Sequence, residues 1–329
     1  MRITSIAFAI ALLGVGTVVS APNAQENGNR ADEVIHVLPV QGNIYMLVGA
    51  GANITVQVGE TGVLLVDTGL ADMSDQVLAA VRTLSDKPIR FIIDTTDDPD
   101  HVGGNEKIAK AGSTITGGNV VGDIGASAGD TAAIIAFQTI LDRMSAVTGK
   151  QSAMPQGAWP TDAYETSQKS FWFNGDSIRL FHQPGHTDAD SIAYFRREDV
   201  ISSGDIFRTD SYPVIDLARG GSIQGIIAGL NHLLDLTIPA DVKSKDEGGT
   251  MVIPGHGRLC DQADVVVYQE MVTIIRDRIQ DMVSKGMTLE QVKAARPTRD
   301  YDPLYGRDTG PWTTDMFVEA VYRSLSAKH

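Results

Sequence analysis

Cysteine and basic residues are scarce in this 329-residue chain, and each shortage excludes a class of protein. The single cysteine, Cys260, permits no intrachain disulfide and no cysteine-rich zinc module. Lys and Arg total 27 against 41 Asp and Glu, which gives a formal net charge of −14. Because nucleic acids and anionic membranes both attract a basic surface, we expect neither as a main partner. Hydrophobic residues make up 43% of the chain, which is enough for a packed core.

Long apolar runs are also scarce, and the one that is present lies near the first residue. Met1 and Arg2 precede an almost wholly apolar stretch from 3 to 19, which small residues follow. This arrangement is typical of a secretory signal peptide, so we expect residues 1–24 to direct export to the periplasm or outside the cell and then to be removed. No stable membrane insertion is expected after cleavage; a retained anchor is the alternative. The polar residues 25–33 predict a flexible leader.

Strand and helix patterns alternate through the rest of the chain. Short β-rich runs separated by glycine-containing turns occupy 34–66 and recur at 170–202. Helical spacing of apolar residues is found at 72–84, 131–147, 222–236 and after 263. Strands followed by helices, twice over, predict an α/β (α+β) protein built as a four-layer αββα sandwich. We place the main domain at 34–262, with an insertion at 122–170, and a helical extension packed on the domain at 263–329.

Polar clusters directly follow apolar strands at four places. In chain order they are Asp97-Asp98-Pro99-Asp100-His101, Pro184-Gly185-His186, Gly204-Asp205 and Pro254-Gly255-His256. Strand ends can present side chains from several loops to one point. Imidazole and carboxylate are ligands of divalent metals, so the combination predicts a metal site. Taken on its own, the acidic loop favours a solvated turn that caps a helix.

The order of these motifs resembles the metallo-β-lactamase fold superfamily. That family has a Val-Asp-Thr-Gly element, matched by Val66-Asp67-Thr68-Gly69, followed by His-x-His-x-Asp-His, Pro-Gly-His-Thr, Gly-Asp and Pro-Gly-His-Gly motifs. The resemblance implies a sandwich of the metallo-β-lactamase type, a divalent metal such as Zn²⁺, and hydrolysis of a small-molecule substrate. The metal ligands that it implies are Asp100, His101, His186, Asp205 and His256.

Two positions depart from the family pattern. Thr96 and Asp98 stand where the resemblance expects imidazoles, and threonine is a poor zinc ligand. The first metal site is therefore reduced to Asp98, His186 and Asp205. The second site keeps all of its implied ligands, Asp100, His101, Asp205 and His256.

Three functions remain open. The favoured one is a secreted one-metal hydrolase, in which metal-bound water attacks an ester, thioester, lactone, lactam or related bond. Asp98 or His186 would accept the proton, and the candidate catalytic residues are Asp98, Asp100 and His186. The second is a two-metal hydrolase whose altered first site takes a harder ion, Mn²⁺ or Fe²⁺. The third is a non-catalytic binding protein on the same fold.

Other polar and aromatic residues are assigned mainly to packing. Cys260 is expected to be a small packed residue, with a third-site ligand as the alternative. Segments 122–170 and 301–312 could roof the site, and the sequence predicts no oligomeric state. Surface, packing or tail roles are expected for His36, His182, His232 and His329. Core positions, or alternatively pocket walls, are expected for Trp159, Trp172, Phe207, Tyr212 and Trp312.

Overall fold

The computed structural model describes residues 34–114, 131–149, 151–240 and 248–326. The predicted signal peptide and leader lie outside these residues, as does 122–130 of the predicted insertion. Among the described residues, no helix combines the length and the apolar character needed to cross a membrane.

The N-terminal sheet has seven strands in the order β1-β2-β3-β4-β5-β6-β9. Strands β1 to β4 form an antiparallel meander, whereas β4, β5, β6 and β9 run parallel. The parallel half brings the carboxyl ends of its strands to one edge of the sheet. The strands are β1 (His36–Gln41), β2 (Ile44–Val48), β3 (Ile54–Gly59), β4 (Gly62–Val66), β5 (Ile89–Ile93), β6 (Ala133–Phe137) and β9 (Asp162–Tyr164).

A second sheet of five strands has the order β10-β11-β12-β13-β14. Its first four strands are antiparallel, and β14 joins β13 in parallel, so the carboxyl ends of β13 and β14 also lie together. The strands are β10 (Gln168–Phe173), β11 (Asp176–His182), β12 (Ser191–Phe195), β13 (Val200–Ser202) and β14 (Met251–Ile253). A small hairpin consists of β7 (Val147–Thr148) and β8 (Gln151–Ser152).

Helices cover the outer face of each sheet. Side-chain caps fix several starts: Ser222 accepts from the amide of Gly225, and Asp261 forms a capping box with Asp264. The helices are α1 (Ser74–Leu84), α2 (Pro99–Val102), α3 (Asn105–Lys110), α4 (Gln138–Ser145), α5 (Ile223–Leu236), α6 (Gln262–Ser284), α7 (Leu289–Ala295), α8 (Asp302–Tyr305) and α9 (Thr314–Ser326).

The alternation of side chains along the strands divides the core into layers. In β4, Val63 and Leu65 pack against residues of α1 and α3, whereas Leu64 and Val66 pack against the second sheet. In β14, Val252 faces α5, α6 and α9. Two sheets therefore lie face to face between two helical layers, and the predicted four-layer αββα sandwich is confirmed.

The helix predicted over 131–147 is wrong in its first half. Residues Ala133–Phe137 form strand β6, buried inside the parallel part of the first sheet, and only Gln138–Ser145 is helical. A central parallel strand is covered on both faces and is therefore apolar throughout, so its sequence also satisfies helical spacing. Strand β9 pairs with β6 as well, so part of segment 122–170 belongs to the sheet.

Candidate metal centre

Loops that follow the strands of both sheets converge on one point between the two sheet edges. Two groups of side chains there each have their ligand atoms within 4.8 Å of one another. Asp205 links the groups: its Oδ1 lies 3.6 Å from Nε2 of His101 and of His256, and its Oδ2 lies 4.0 Å from Nε2 of His186. The first-site group is Asp98, His186 and Asp205, and the second-site group is Asp100, His101 and His256. Asp205 is counted in the second group as well, because its Oδ1 faces both imidazoles of that group. The structure thus brings together all the residues that the sequence predicted for the site.

Local backbone structure explains how the loops reach this point. Asp98 is the N-cap of α2 and Pro99 starts the helix, which places Asp100 and His101 on its single turn. Gly255 follows β14, and a side-chain carbon at this position would overlap Oδ1 of Asp205. Only glycine therefore lets the last loop approach the Asp205 carboxylate so closely.

His101 is held from behind by a carboxylate. Its ring is fully buried, and Nδ1 lies 2.8 Å from Oδ2 of Asp67, so that Nε2 faces Asp205. Asp67 itself lies at φ 63° and accepts the amide of Thr95 at 2.8 Å. Burial lowers the pKa of His101, but the carboxylates of Asp67 and Asp205 outweigh burial and raise it well above its usual value.

Two buried ligand atoms in the second group have no hydrogen-bond partner. They are Nε2 of His101 and Oδ1 of Asp205. Buried polar atoms are almost always paired, because an unpartnered one forfeits its bonds to water. A divalent cation between imidazoles and carboxylates would satisfy both atoms, so the residues present fit such an ion. The identity of the ion and the ligand set stay predictions.

The first group is different because its other two members, Asp98 and His186, satisfy one another. Nδ1 of His186 lies 3.0 Å from the carbonyl of Val214, which can only accept, so Nδ1 carries a proton. Nε2 lies 2.7 Å from Oδ2 of Asp98, and an ionised carboxylate can only accept, so the hydrogen of this bond is on Nε2. Burial lowers the pKa of His186, but the hydrogen bond to Asp98 and the nearby carboxylates raise it to about 9. Burial raises the pKa of Asp98, but His186 and Arg219 lower it to about 2.

Arginines around the first group were not predicted from the sequence. Arg219 contacts Oδ1 of Asp98 and lies 3.3 Å from Asp97. Arg143, from α4, binds Asp97 at 3.0 Å and Asp188 at 2.6 Å. No motif surrounds either arginine, and both are brought to the acidic loop by tertiary structure alone. Asp67 was noted in the Val-Asp-Thr-Gly match, which is the signal that could have identified it as the partner of His101.

A cavity of about 550 Å³ opens beside the first group. One wall is the segment 214–219, and the other is the outer side of α9 together with Trp312. The indole Nε1 of Trp312 is buried without a partner. Both apolar and charged side chains line the cavity. The lining residues are Asp98, His186, Val214, Ile215, Asp216, Leu217, Arg219, Trp312, Met316, Glu319, Ala320 and Arg323.

The remaining residues singled out in the sequence have ordinary positions, apart from Thr96. Phe207 and Tyr212 are core residues, but Trp172 is 76% exposed and lines no described cavity, so the prediction for Trp172 is wrong. Cys260 is buried and belongs to neither group of ligands. The buried hydroxyl of Thr96 has no partner and lies in neither group.

The histidines outside the motifs have packing or surface positions. The ring of His182 stacks on Phe137 with centroids 3.5 Å apart, and His232 bonds to Gln183. His36 is exposed, and His329 lies outside the described residues. Trp159 packs partly buried beside α4 and bonds to the carbonyl of Met154.

Comparison with known proteins finds similarity to alkylsulfatases and to metallo-beta-lactamases. The linear primary-alkylsulfatase of Pseudomonas sp. (strain ATCC 19151) is 24% identical over 294 residues, which cover 80% of this chain and 53% of that protein. The structure of the stereoselective inverting sec-alkylsulfatase Pisa1 from Pseudomonas sp. has a TM-score of 0.58 and 15% identity, over 88% of this chain and 50% of that one. A metallo-beta-lactamase from Pontibacter korlensis has a TM-score of 0.53 and 13% identity, over 73% and 99%.

The chain spans about half the length of the alkylsulfatases that it matches. The model of the metallo-beta-lactamase superfamily matches residues 47–256, which include every residue of both ligand groups. The chain belongs to the metallo-beta-lactamase superfamily.

Proposed function

We propose that the protein is a metal-dependent hydrolase that holds one divalent ion, Zn²⁺ by preference, at Asp100, His101, Asp205 and His256. The observation that carries this proposal is the pair of buried, unpartnered ligand atoms, Nε2 of His101 and Oδ1 of Asp205. A divalent ion bound there would polarise a substrate oxygen and lower the pKa of water.

The surrounding residues of this chain hold the ligands in place. Asp67 fixes the orientation of the His101 ring and keeps Nε2 directed at the site. Arg208 lies 4.0 Å from Oδ2 of Asp205 and counters part of its charge. Asp100 lies 3.2 Å from Nε2 of His256, so these two ligands share the partly exposed side of the group.

His186 is proposed to supply the proton that the leaving group takes up. It carries hydrogen on both ring nitrogens and lines the cavity. Its Nε2 hydrogen is bonded to Asp98, so it donates to a leaving-group oxygen only when that oxygen takes the place of Oδ2 of Asp98. Asp98 accepts from Nε2 and keeps that hydrogen in position. This role is that of a general acid, whereas the sequence suggested a general base.

A sulfate ester with an apolar alcohol is the proposed substrate class. The support is the alkylsulfatase relatives together with the cavity, whose apolar side chains suit an alkyl chain next to His186. We also propose export to the periplasm or beyond, on the strength of the apolar segment 3–19.

The test combines metal content with turnover. The purified protein is dialysed, its zinc is measured by mass spectrometry, and sulfate release is followed from primary alkyl sulfates of six to twelve carbons. We expect close to one ion per chain, its loss in Asp100→Ala and His256→Ala, and its retention in the control His232→Ala.

Turnover measurements test the role of His186 and the substrate class separately from metal binding. His186→Ala should keep the ion and lose ~10²–10⁴ in kcat, the range usual for a general acid–base. Hydrolysis of a carboxylic ester or lactam, but of no sulfate ester, would refute the substrate class. Two tightly held ions would favour the two-metal alternative, and full metal retention in both ligand variants would refute the site.

A further inference from the structure

The two ligand groups differ in whether their carboxylate oxygens already have hydrogen-bond or ion-pair partners. In the second group the facing atoms of His101 and Asp205 are left without partners. In the first group both oxygens of Asp98 are engaged, Oδ1 by Arg219 and Oδ2 by Nε2 of His186. An ion at the first group would therefore have to displace contacts that already exist.

The backbone around Arg219 is built to hold its guanidinium at this place. Arg219 ends a short 3-10 helix, Leu217–Arg219, which Asp216 caps by accepting from the amides of Ala218 and Arg219 at 2.9 and 3.0 Å. Asp216 also accepts from Nε of Arg219 at 2.7 Å. Gly220, at φ 80°, then turns the chain away in a left-handed conformation.

A second arginine secures this turn from another element. Arg143 donates to the carbonyl of Arg219 at 3.0 Å and binds Asp97 and Asp188. The amide of Asp188 donates to the same carbonyl at 2.9 Å. The side chain of Arg219 is only 28% exposed, and its guanidinium contacts carboxylates of the acidic loop and of its own turn.

We propose that Arg219 takes the place of the first metal ion: its guanidinium neutralises Asp98 and keeps a second divalent ion out of the group formed by Asp98, His186 and Asp205. This inference rests on the one-ion function proposed above. A guanidinium is always charged and binds carboxylates with directed hydrogen bonds, so the compensation is permanent. A second divalent ion would lie close to that positive charge and be repelled by it.

The experiment counts zinc ions in variants that remove or keep this charge. Demetallated protein is titrated with Zn²⁺ alone by calorimetry, and bound zinc is measured after gel filtration. The wild type should bind one ion tightly. Arg219→Met should bind two, with the second at least ~10-fold tighter than any further binding to the wild type. Arg219→Gln is a second neutral variant, and circular dichroism checks that both fold.

Two controls test whether the effect comes from a positive charge beside Asp98 and not from any positive charge in the cavity. Arg219→Lys keeps a cation beside Asp98 and should bind one ion. Arg323→Met removes a cation from the same cavity, but Arg323 pairs with Glu319, 2.7 Å away, so one ion is again expected.

The outcomes distinguish this inference from the proposed function. One ion in the wild type and still one in both folded neutral variants would overturn the role of Arg219 and leave the one-ion hydrolase standing. Two ions in the wild type would overturn both. No ion in any of the proteins would likewise overturn both.

Discussion

At the scale of single residues, we expect the carboxylate behind His101 to govern the zinc affinity of the site proposed at the second group. Asp67→Asn replaces one acceptor oxygen with a donor, so it cannot accept both from Nδ1 of His101, which is bonded to Oδ2, and from the amide of Thr95, which is bonded to Oδ1. We expect zinc affinity to fall ~10–100-fold, the usual effect of losing such a partner. Competition with a coloured chelator measures the affinity.

A matched control is Asp176→Asn. Asp176 is also fully buried and accepts a backbone amide, from Arg197, but it begins β11 at the end remote from the metal ligands. Its variant should keep the zinc affinity of the wild type. An equal loss in both variants would mean that destabilisation alone, not orientation of His101, explains the effect.

Gly255 supports a separate prediction at this scale. Gly255→Ala places a carbon against Oδ1 of Asp205 and the backbone of Gly204, so the carboxylate must move. Zinc affinity should drop at least ~10-fold, as expected when a supporting contact is disturbed. In Gly286→Ala the added carbon meets nothing, although φ is 74°, so stability alone should fall. Unchanged zinc binding in Gly255→Ala would contradict the steric argument.

The sequence predicts some residues of this site and not others. The convergence of the candidate ligands was predictable because each follows a strand end within a motif, and strand ends meet by topology. Arg219 was not predictable, because its side chain meets Asp98 only through the path of the chain between β13 and α5. Its neighbours Ala218 and Gly220 carry no signal of a charged site.

At the scale of elements, α9 has two roles on two faces. Phe317 and Val321 are fully buried against α5 and α6, whereas Met316 and Ala320 face the cavity. Met316 is 42% exposed, so Met316→Asp should leave the melting temperature within a few degrees of the wild type. The charge should raise KM for long-chain alkyl sulfates at least ~10-fold, since several buried methylenes contribute ~0.8 kcal/mol each.

Phe317→Ala is the counterpart on the other face. Removing this buried ring should lower the free energy of unfolding by ~3–5 kcal/mol, as measured by denaturation. KM of the remaining folded protein should change little. If Met316→Asp left KM unchanged for every chain length, the cavity would not be the alkyl site.

Elements also show why part of the fold was mispredicted. The run Ala133–Phe137 is apolar at every position, so its sequence cannot distinguish the period of two of a strand from the period of 3.6 of a helix. Its identity as a strand is settled by pairing with β5 and β9, which are distant in sequence. By contrast, β4 and the helix Ser74–Leu84 were predictable, since a short strand bounded by Gly62 and a one-sided apolar pattern are local signals.

At the scale of the whole molecule, the second ligand group connects the two sheets. Asp100 and His101 follow strands of the first sheet, whereas Asp205 and His256 follow strands of the second. An ion held by all four would join the two halves of the sandwich. It would bind the folded protein and not the unfolded chain, because the ligands are far apart in sequence.

Metal removal should therefore lower the melting temperature. At a free ion concentration 100 times Kd, binding contributes ~2.7 kcal/mol, which for a folded chain of about 300 residues corresponds to about 4–5 °C. The measurement is differential scanning calorimetry of the wild type with Zn²⁺ and after treatment with a chelator. His256→Ala should melt at nearly the same temperature in both conditions, because it lacks a ligand from the second sheet. Equal melting temperatures for the wild type with and without Zn²⁺ would show that no ion joins the sheets.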